Sequence, residues 1–337
     1  MIRSCCVIGA GAWGTTIAVM LARQGHSVVL WEYFPEVYHQ LQQNKENQKY
    51  LPGVSLDLPS LKLSDHLADS VSSSDLLILA IPSKYLSIFL PRLANHLQER
   101  HYLLSLVKGI LPRPVPRLLL DDLMEQLPQL KPAHAAVLSG PNFAKEIAQD
   151  LPAATVIAGM DLQVLRILQT YFSSPIFRVY TNTDVVGVQL GGIMKNVIAL
   201  AAGLLDGSNM GYNAKSSLIV RGIAEMGRLF SVMGGKQETL YGLSGLGDLI
   251  LTCTSPLSRN WWAGTQLASG ISYQELQKST GTTVEGVDSM EGLLRLSRIH
   301  EVELPICREI YAIVFEQKEV AQSLYDLMSR KLRSERT

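Results

Sequence analysis

The chain has 337 residues, 47% of them hydrophobic and 18% charged, with a formal net charge of zero. That length allows about two domains and a sizeable core. The charge balance excludes a disordered chain and the cationic excess of a nucleic-acid binder. The start of the chain lacks the basic region, long apolar core and small-residue cleavage site of a signal peptide. Cys5, Cys6, Cys253 and Cys307 form no C-x-x-C pair, which fits a reduced, cytoplasmic setting. The histidines have no ligand spacing, so no metal is expected.

Ser4–Ile8 reads as a short buried strand that runs into Gly9-Ala10-Gly11-Ala12-Trp13-Gly14, after which residues 15–23 have helical apolar spacing. A glycine fingerprint between a strand and a helix points to a dinucleotide site. Gly9 permits the tight turn, Gly11 lets the backbone approach a pyrophosphate, and Gly14 lets helix and strand pack closely. The pyrophosphate would rest on the helix N-terminus, where N–H groups point outward. A ligand-free glycine turn is the alternative. A second strand, Ser27–Trp31, ends in Glu32, 18 residues after Gly14. An acid there can accept hydrogen bonds from ribose hydroxyls and would repel a 2′-phosphate, favouring NAD over NADP; a solvated loop residue is the plainer reading.

Further strands are expected at residues 76–80, 102–107, Ala135–Ser139, 155–158 and 177–180, with helices at 84–97, 143–149 and 161–172. This alternation predicts a doubly wound (Rossmann-like) parallel sheet with helices on both faces, ligands binding beyond the carboxyl ends of the strands. Lys108 and the turn Gly140-Pro141-Asn142 fall at such ends. After about Asp184 the pattern becomes helical, at 185–205, 217–233, 260–267, 284–296 and 307–315. The chain thus divides into a dinucleotide-binding domain (1–184) and a helical substrate-binding domain (185–337). The basic tail from Ser329 onward reads as a fraying terminus.

The stretch 185–205 is apolar on nearly every face, and its only charge is Lys195. It is long enough to span a membrane, but a central lysine costs roughly 2.5–3.5 kcal/mol to insert, which argues against stable membrane insertion. A lysine snorkelling from a core-edge helix is a second possibility. The third is a catalytic lysine, since a buried ammonium is costly unless paired or used. Farther on, glycines precede Asp248, a carboxylate able to fix or tune an ammonium. Ser258, Arg259 and Asn260, where a helix should begin, could cradle a phosphate; the bland alternative is a serine cap beside a solvated arginine. A dinucleotide site, a semi-buried lysine, an aspartate and a phosphate cradle together suit hydride transfer on a small phosphorylated alcohol. Two alternatives are another hydroxyacid or sugar-phosphate dehydrogenase and a nucleotide sensor without turnover.

The motifs Gly9-Ala-Gly-Ala-Trp-Gly-Thr, Lys108-Gly109, Ser139-Gly-Pro-Asn-Phe-Ala-Lys-Glu, Gly187-Val-Gln-Leu-Gly-Gly-Ile-Met-Lys-Asn-Val, Gly245-Leu-Gly-Asp-Leu, Cys253-Thr-Ser-Pro-Leu-Ser-Arg-Asn and Val284-Glu-Gly occur in order along nearly the whole chain. In this the chain resembles bacterial-type NAD(P)-dependent sn-glycerol-3-phosphate dehydrogenase. The resemblance implies interconversion of dihydroxyacetone phosphate and sn-glycerol 3-phosphate with NAD(P)H, feeding membrane phospholipid synthesis, and a homodimer. It implies Lys195 as proton donor or acceptor. Lys108, Gly140, Asn142, Asp248, Ser258, Arg259 and Asn260 would contact the substrate. Ala12, Trp13, Lys108, Ala144, Arg259, Thr283 and Glu285 would contact the cofactor. Asn196 and Thr252 match residues that eukaryotic relatives place beside the reacting centre. Three positions depart from the family: Asn142 replaces Ser or Thr, Ala12 replaces Ser, and Glu32 stands where NADP-preferring members carry a basic side chain.

Overall fold

The computed structural model describes residues 2–111, 113–280, 283–332 and 334–335. The strands are β1 (Ser4–Ile8), β2 (Ser27–Trp31), β3 (Glu46–Asn47), β4 (Leu51–Ser55), β5 (Leu61–Ser64), β6 (Leu76–Leu79), β7 (Tyr102–Ser105), β8 (Ala135–Ser139), β9 (Ala153–Gly159) and β10 (Phe177–Asn182), and short runs of Val, Ile, Leu and Cys make the central ones. Eight of them form one sheet in the order β10-β9-β8-β7-β6-β1-β2-β5, while β3 and β4 pair as a separate antiparallel ribbon. The central strands are buried on both faces, as layers of helix above and below require; Cys5 to Ile8 and Leu76 to Leu79 have no exposure at all.

The predicted parallel sheet needs one correction. Strand β9 runs antiparallel to β8, with Ser139 opposite Val156, and β10 is parallel to β9. The link from β8 to β9 holds only the five-residue helix Ala144–Ala148. Five helical residues rise about 7.5 Å, too little to carry the chain back along a strand of roughly 17 Å. The link therefore returns to the same end of the sheet, and Thr155 Oγ1 donates to Ser139 O at 2.9 Å. The hydrophobic pattern predicts no element between Glu32 and Leu76, yet that stretch contains the helices Pro35–Asn44 and Leu67–Ser72, the β3–β4 ribbon and edge strand β5. The helix Leu119–Gln126 is a further addition.

From Val185 onward the described residues are helical, as expected. The helix Val185–Gly207 begins where Asp184 Oδ1 accepts the N–H of Gly187 at 2.8 Å, a side-chain cap on the otherwise free first turn. By length and composition it could cross a membrane, but it lies buried inside the protein. Around it pack Gly211–Met233, Asp248–Thr254, Arg259–Ala268, Glu285–Ile299 and Pro305–Glu316, their apolar faces closing a second core. The contact with Arg259–Ala268 is backbone to backbone. A Cβ on Gly264 would overlap Leu200 O and lie 2.8 Å from Leu204 N and 2.9 Å from Gly203 Cα. Gly264→Ala is therefore expected to force the two helices apart, at about 1–3 kcal/mol. Chemical denaturation would measure it, and an unchanged midpoint would show that the contact yields freely.

Candidate active site

Strand ends and helices meet at one carboxylate. Lys108 follows β7 and Gly140 follows β8, both at carboxyl ends of the sheet. Lys195 lies midway along Val185–Gly207, and Asp248 and Thr252 are one turn apart on Asp248–Thr254. Lys195 Nζ donates to Asp248 Oδ1 and to Thr252 Oγ1, both at 2.9 Å. Lys108 Nζ donates to the other oxygen, Asp248 Oδ2, at 2.7 Å and to Gly140 O at 3.3 Å. The Thr252 hydroxyl passes its own hydrogen to Asp248 O at 2.6 Å, which turns its lone pair towards Lys195. Lys195 is 7% exposed and Asp248 1%, so the lysine does not snorkel to solvent.

The approach of Lys108 depends on a glycine. A Cβ on Gly192, one turn before Lys195, would lie 2.8 Å from Ser139 Oγ and 3.3 Å from Lys108 Cγ. The bare helix face lets the aliphatic stem of Lys108 cross on its way to Asp248.

These contacts set the charges. Burial pushes the Lys195 ammonium below the usual lysine range; Asp248 opposes the shift and nearby Lys108 adds to it. Burial alone would raise the Asp248 carboxyl, but the two ammoniums together outweigh it and hold its pKa below the ordinary carboxylate value. Glu285 is raised by burial, against the attraction of Arg259, Lys108 and Lys195. Those four charges therefore share one neighbourhood.

A second network adjoins the first. Asn260 Nδ2 donates to Asn196 Oδ1 at 2.9 Å, and Asn260 Oδ1 accepts from Gly286 N at 3.0 Å. The Asn196 amide nitrogen is buried with no hydrogen-bond partner among the described residues. The Ser139 hydroxyl and Asn142 Oδ1 are orphaned in the same way. Buried polar atoms without partners are rare, and each calls for an explanation. Asn142 folds back, its amide donating to Pro141 O at 3.0 Å and Ala154 O at 3.1 Å. Ser258 accepts Trp261 N at 3.2 Å, so its hydroxyl is already a helix cap. Arg259 is exposed and forms no ion pair among the described residues. Thr283 is half-buried just before the helix Glu285–Ile299.

The glycine turn has the features a dinucleotide needs. Gly9 has φ +108°, and a Cβ on Gly14 would overlap Gly9 O. A Cβ on Gly11 would meet nothing within 4 Å, and no side chain caps the helix Ala12–Arg23 that follows. Free N–H groups thus face open space beside Ala12 and half-buried Trp13, which fits a pyrophosphate. Ala144, which begins the helix Ala144–Ala148, accepts a bond from Thr16 Oγ1 at 3.1 Å, bringing that helix to the same turn. Glu32 is 8% exposed, and its two oxygens accept Ala10 N at 3.1 Å and Phe34 N at 3.0 Å, so it braces the glycine turn. Sequence reasoning missed Asn47, whose amide donates to Ala10 O and Thr15 Oγ1, both at 2.8 Å. It also missed Ser139. Asn47 belongs to no pattern that a single sequence displays, whereas Ser139 opens the motif Ser139-Gly-Pro-Asn without having been singled out for a role.

The family described as NAD-dependent glycerol-3-phosphate dehydrogenase matches this chain twice, its N-terminal part at residues 4–165 and its C-terminal part at residues 184–325. Glycerol-3-phosphate dehydrogenase [NAD(P)+] of Geobacter sulfurreducens is 42% identical over 337 residues, covering 98% of each chain. The crystal structure of glycerol-3-phosphate dehydrogenase from Coxiella burnetii superposes with a TM-score of 0.92 at 36% identity, covering 97% of this chain and 99% of that one. The enzyme of the same name from Saccharomyces cerevisiae gives a TM-score of 0.81 at 27% identity, over 98% and 100%. With both halves of the chain matched in order, and one fold shared across nearly its whole length, this protein belongs to the NAD-dependent glycerol-3-phosphate dehydrogenase family.

Proposed function

We propose that the protein interconverts dihydroxyacetone phosphate and sn-glycerol 3-phosphate with NAD(P)H, and that Lys195 handles the proton. One observation carries the assignment: Asp248 and Thr252 occupy two N–H groups of a buried ammonium, which leaves the third to meet a substrate oxygen. When bound, the nicotinamide supplies or accepts the hydride. In the reducing direction the Lys195 ammonium stabilises charge gathering on the carbonyl oxygen and delivers a proton to it. In the oxidising direction the neutral amine takes the hydroxyl proton, and its lowered pKa assists.

Residues 1–184 would hold the cofactor at Gly9, Gly11, Ala12, Trp13 and Gly14, with Ala144, Thr283 and Glu285 closing around it. Glu32 would act through the turn it supports, by way of Ala10 N. Residues 185–337 would hold the substrate through Asp248, Thr252, Asn196 and Asn260, with Lys108, Gly140 and Asn142 facing it from the sheet. Ser258 and exposed Arg259 would meet its phosphate. The orphaned Asn196 nitrogen supports this, because a bound oxygen would satisfy it. The product would supply the backbone of membrane phospholipids. A cytoplasmic homodimer completes the proposal, on the family resemblance and the four free, buried cysteines.

Mixing the protein with dihydroxyacetone phosphate and NADH or NADPH, and following nicotinamide absorbance, tests the reading; no substrate-dependent oxidation would overturn it. Arg259→Ala should raise KM for dihydroxyacetone phosphate by roughly 1.5–3 kcal/mol, the loss of a charge-assisted bond, with little change in kcat. An unchanged KM would move the phosphate elsewhere.

A further inference from the structure

Lys108 lies between β7 and the helix Leu119–Gln126, and much of 106–111 and some of 113–118 is buried. Two groups fasten this segment. Arg113 Nη1 lies 3.0 Å from Asp122 Oδ1 and 3.3 Å from Glu125 Oε2, both acids on Leu119–Gln126. Arg295, on Glu285–Ile299, donates through Nη1 to the carbonyls of Arg113 at 3.2 Å and Pro114 at 3.3 Å. Arg113 is thus gripped by its side chain from the sheet half and by its carbonyl from the helical half. The same helix, Glu285–Ile299, starts beside Gly286, whose N–H orients Asn260 and through it Asn196, next to Lys195.

Asp122 is the odd member. It is fully buried, yet neither oxygen has a hydrogen-bond donor among the described residues, and the ion pair to Arg113 is its close contact. A carboxylate kept in this way costs stability rather than adding to it. We propose that Asp122, Arg113 and Arg295 form a strap that sets where Lys108 stands relative to Lys195, making them positioning residues for the site. The inference rests on the reading of Lys108 as a group that meets the substrate.

Burial raises the Asp122 carboxyl to about 6; Arg113 and Arg117 oppose that rise, while Glu125 and Asp121 add to it. Above that pH the charge holds Arg113, and below it the grip relaxes. Asp122→Asn should therefore lower kcat/KM about tenfold at pH ~8, within the ~100-fold that a ~1 Å misplacement costs. The deficit should shrink as the pH falls below about 6, because the wild type then loses the same charge. Taking the ratio of variant to wild type cancels the ionisation of the substrate phosphate. A merely structural Asp122 predicts a ratio flat in pH, and that result would overturn the strap. Should Asp122→Asn fail to fold, Arg295→Met, at a half-exposed side chain, cuts the other tie; it should lower kcat/KM at wild-type melting temperature, and an unchanged kcat/KM counts against the proposal. Lys108→Met separates the two claims: full activity in that variant sinks the reading of Lys108 itself, whereas its loss beside a wild-type-like Asp122→Asn sinks only the strap.

Discussion

Lys195→Met should lower kcat by about 10³–10⁴-fold while leaving NADH affinity within a few fold of the wild type. The side chains are similar in length, so the helix Val185–Gly207 keeps its packing, and the change removes a 7% exposed charge instead of creating a void. Asp248 retains Lys108 at 2.7 Å, so the acid is not left uncompensated. With the ammonium go its bonds to Asp248 and Thr252 and the one N–H left to meet a substrate oxygen. Stopped-flow or steady-state reduction of dihydroxyacetone phosphate measures the loss, and a fluorescence titration with NADH measures the binding. A sensor that binds nucleotide without turnover would show no such split between rate and affinity. If kcat survives, the proton travels by another route.

Asp248→Asn should act through the two lysines. Breaking a buried ion pair from one side costs roughly 3–5 kcal/mol, visible as a lower unfolding midpoint. The activity should change asymmetrically. Burial already lowers the Lys195 pKa, and Asp248 is the largest influence holding it up. Without that carboxylate the pKa drops further, which favours the neutral amine over the ammonium. Ketone reduction, which needs the ammonium, should fall about 100-fold near pH ~8 and recover in part as the pH is lowered. Alcohol oxidation uses the neutral amine, so its dependence on Lys195 protonation should move to lower pH. Profiles of kcat/KM in both directions check this. Equal losses at every pH in both directions would mean that Asp248 holds structure without tuning Lys195.

The two changes separate what Lys195 does from what keeps it ready. A lone ammonium buried in apolar helices would lose its proton. Here a single carboxylate faces two ammoniums, and its own pKa is held low in return. The carboxylate is held ionised by the two ammoniums, and it opposes the fall in the Lys195 pKa that burial causes. Thr252 takes part of this task, since its hydroxyl is turned by Asp248 O and can only accept from Lys195.

Much of this was legible in the residues alone, for a physical reason. Hydrophobic periodicity and turn chemistry are local, so Ser4–Ile8, Ser27–Trp31 and Ala135–Ser139 stand where the pattern put them, and the helix begun at Val185 runs through the predicted stretch. A charge in an otherwise apolar helix is costly wherever the helix packs, which singled out Lys195 before any partner was known. Partners are another matter. Lys108 and Asp248 are 140 residues apart, and only the fold brings them to 2.7 Å. The direction of β9 is a property of the packed sheet, and only the fold shows that Glu32 braces the glycine turn through the N–H groups of Ala10 and Phe34. Burial and long-range hydrogen bonding belong to the packed chain, so the sequence could name the chemical groups, and only tertiary structure could say which of them hold the site and which remain to do its chemistry.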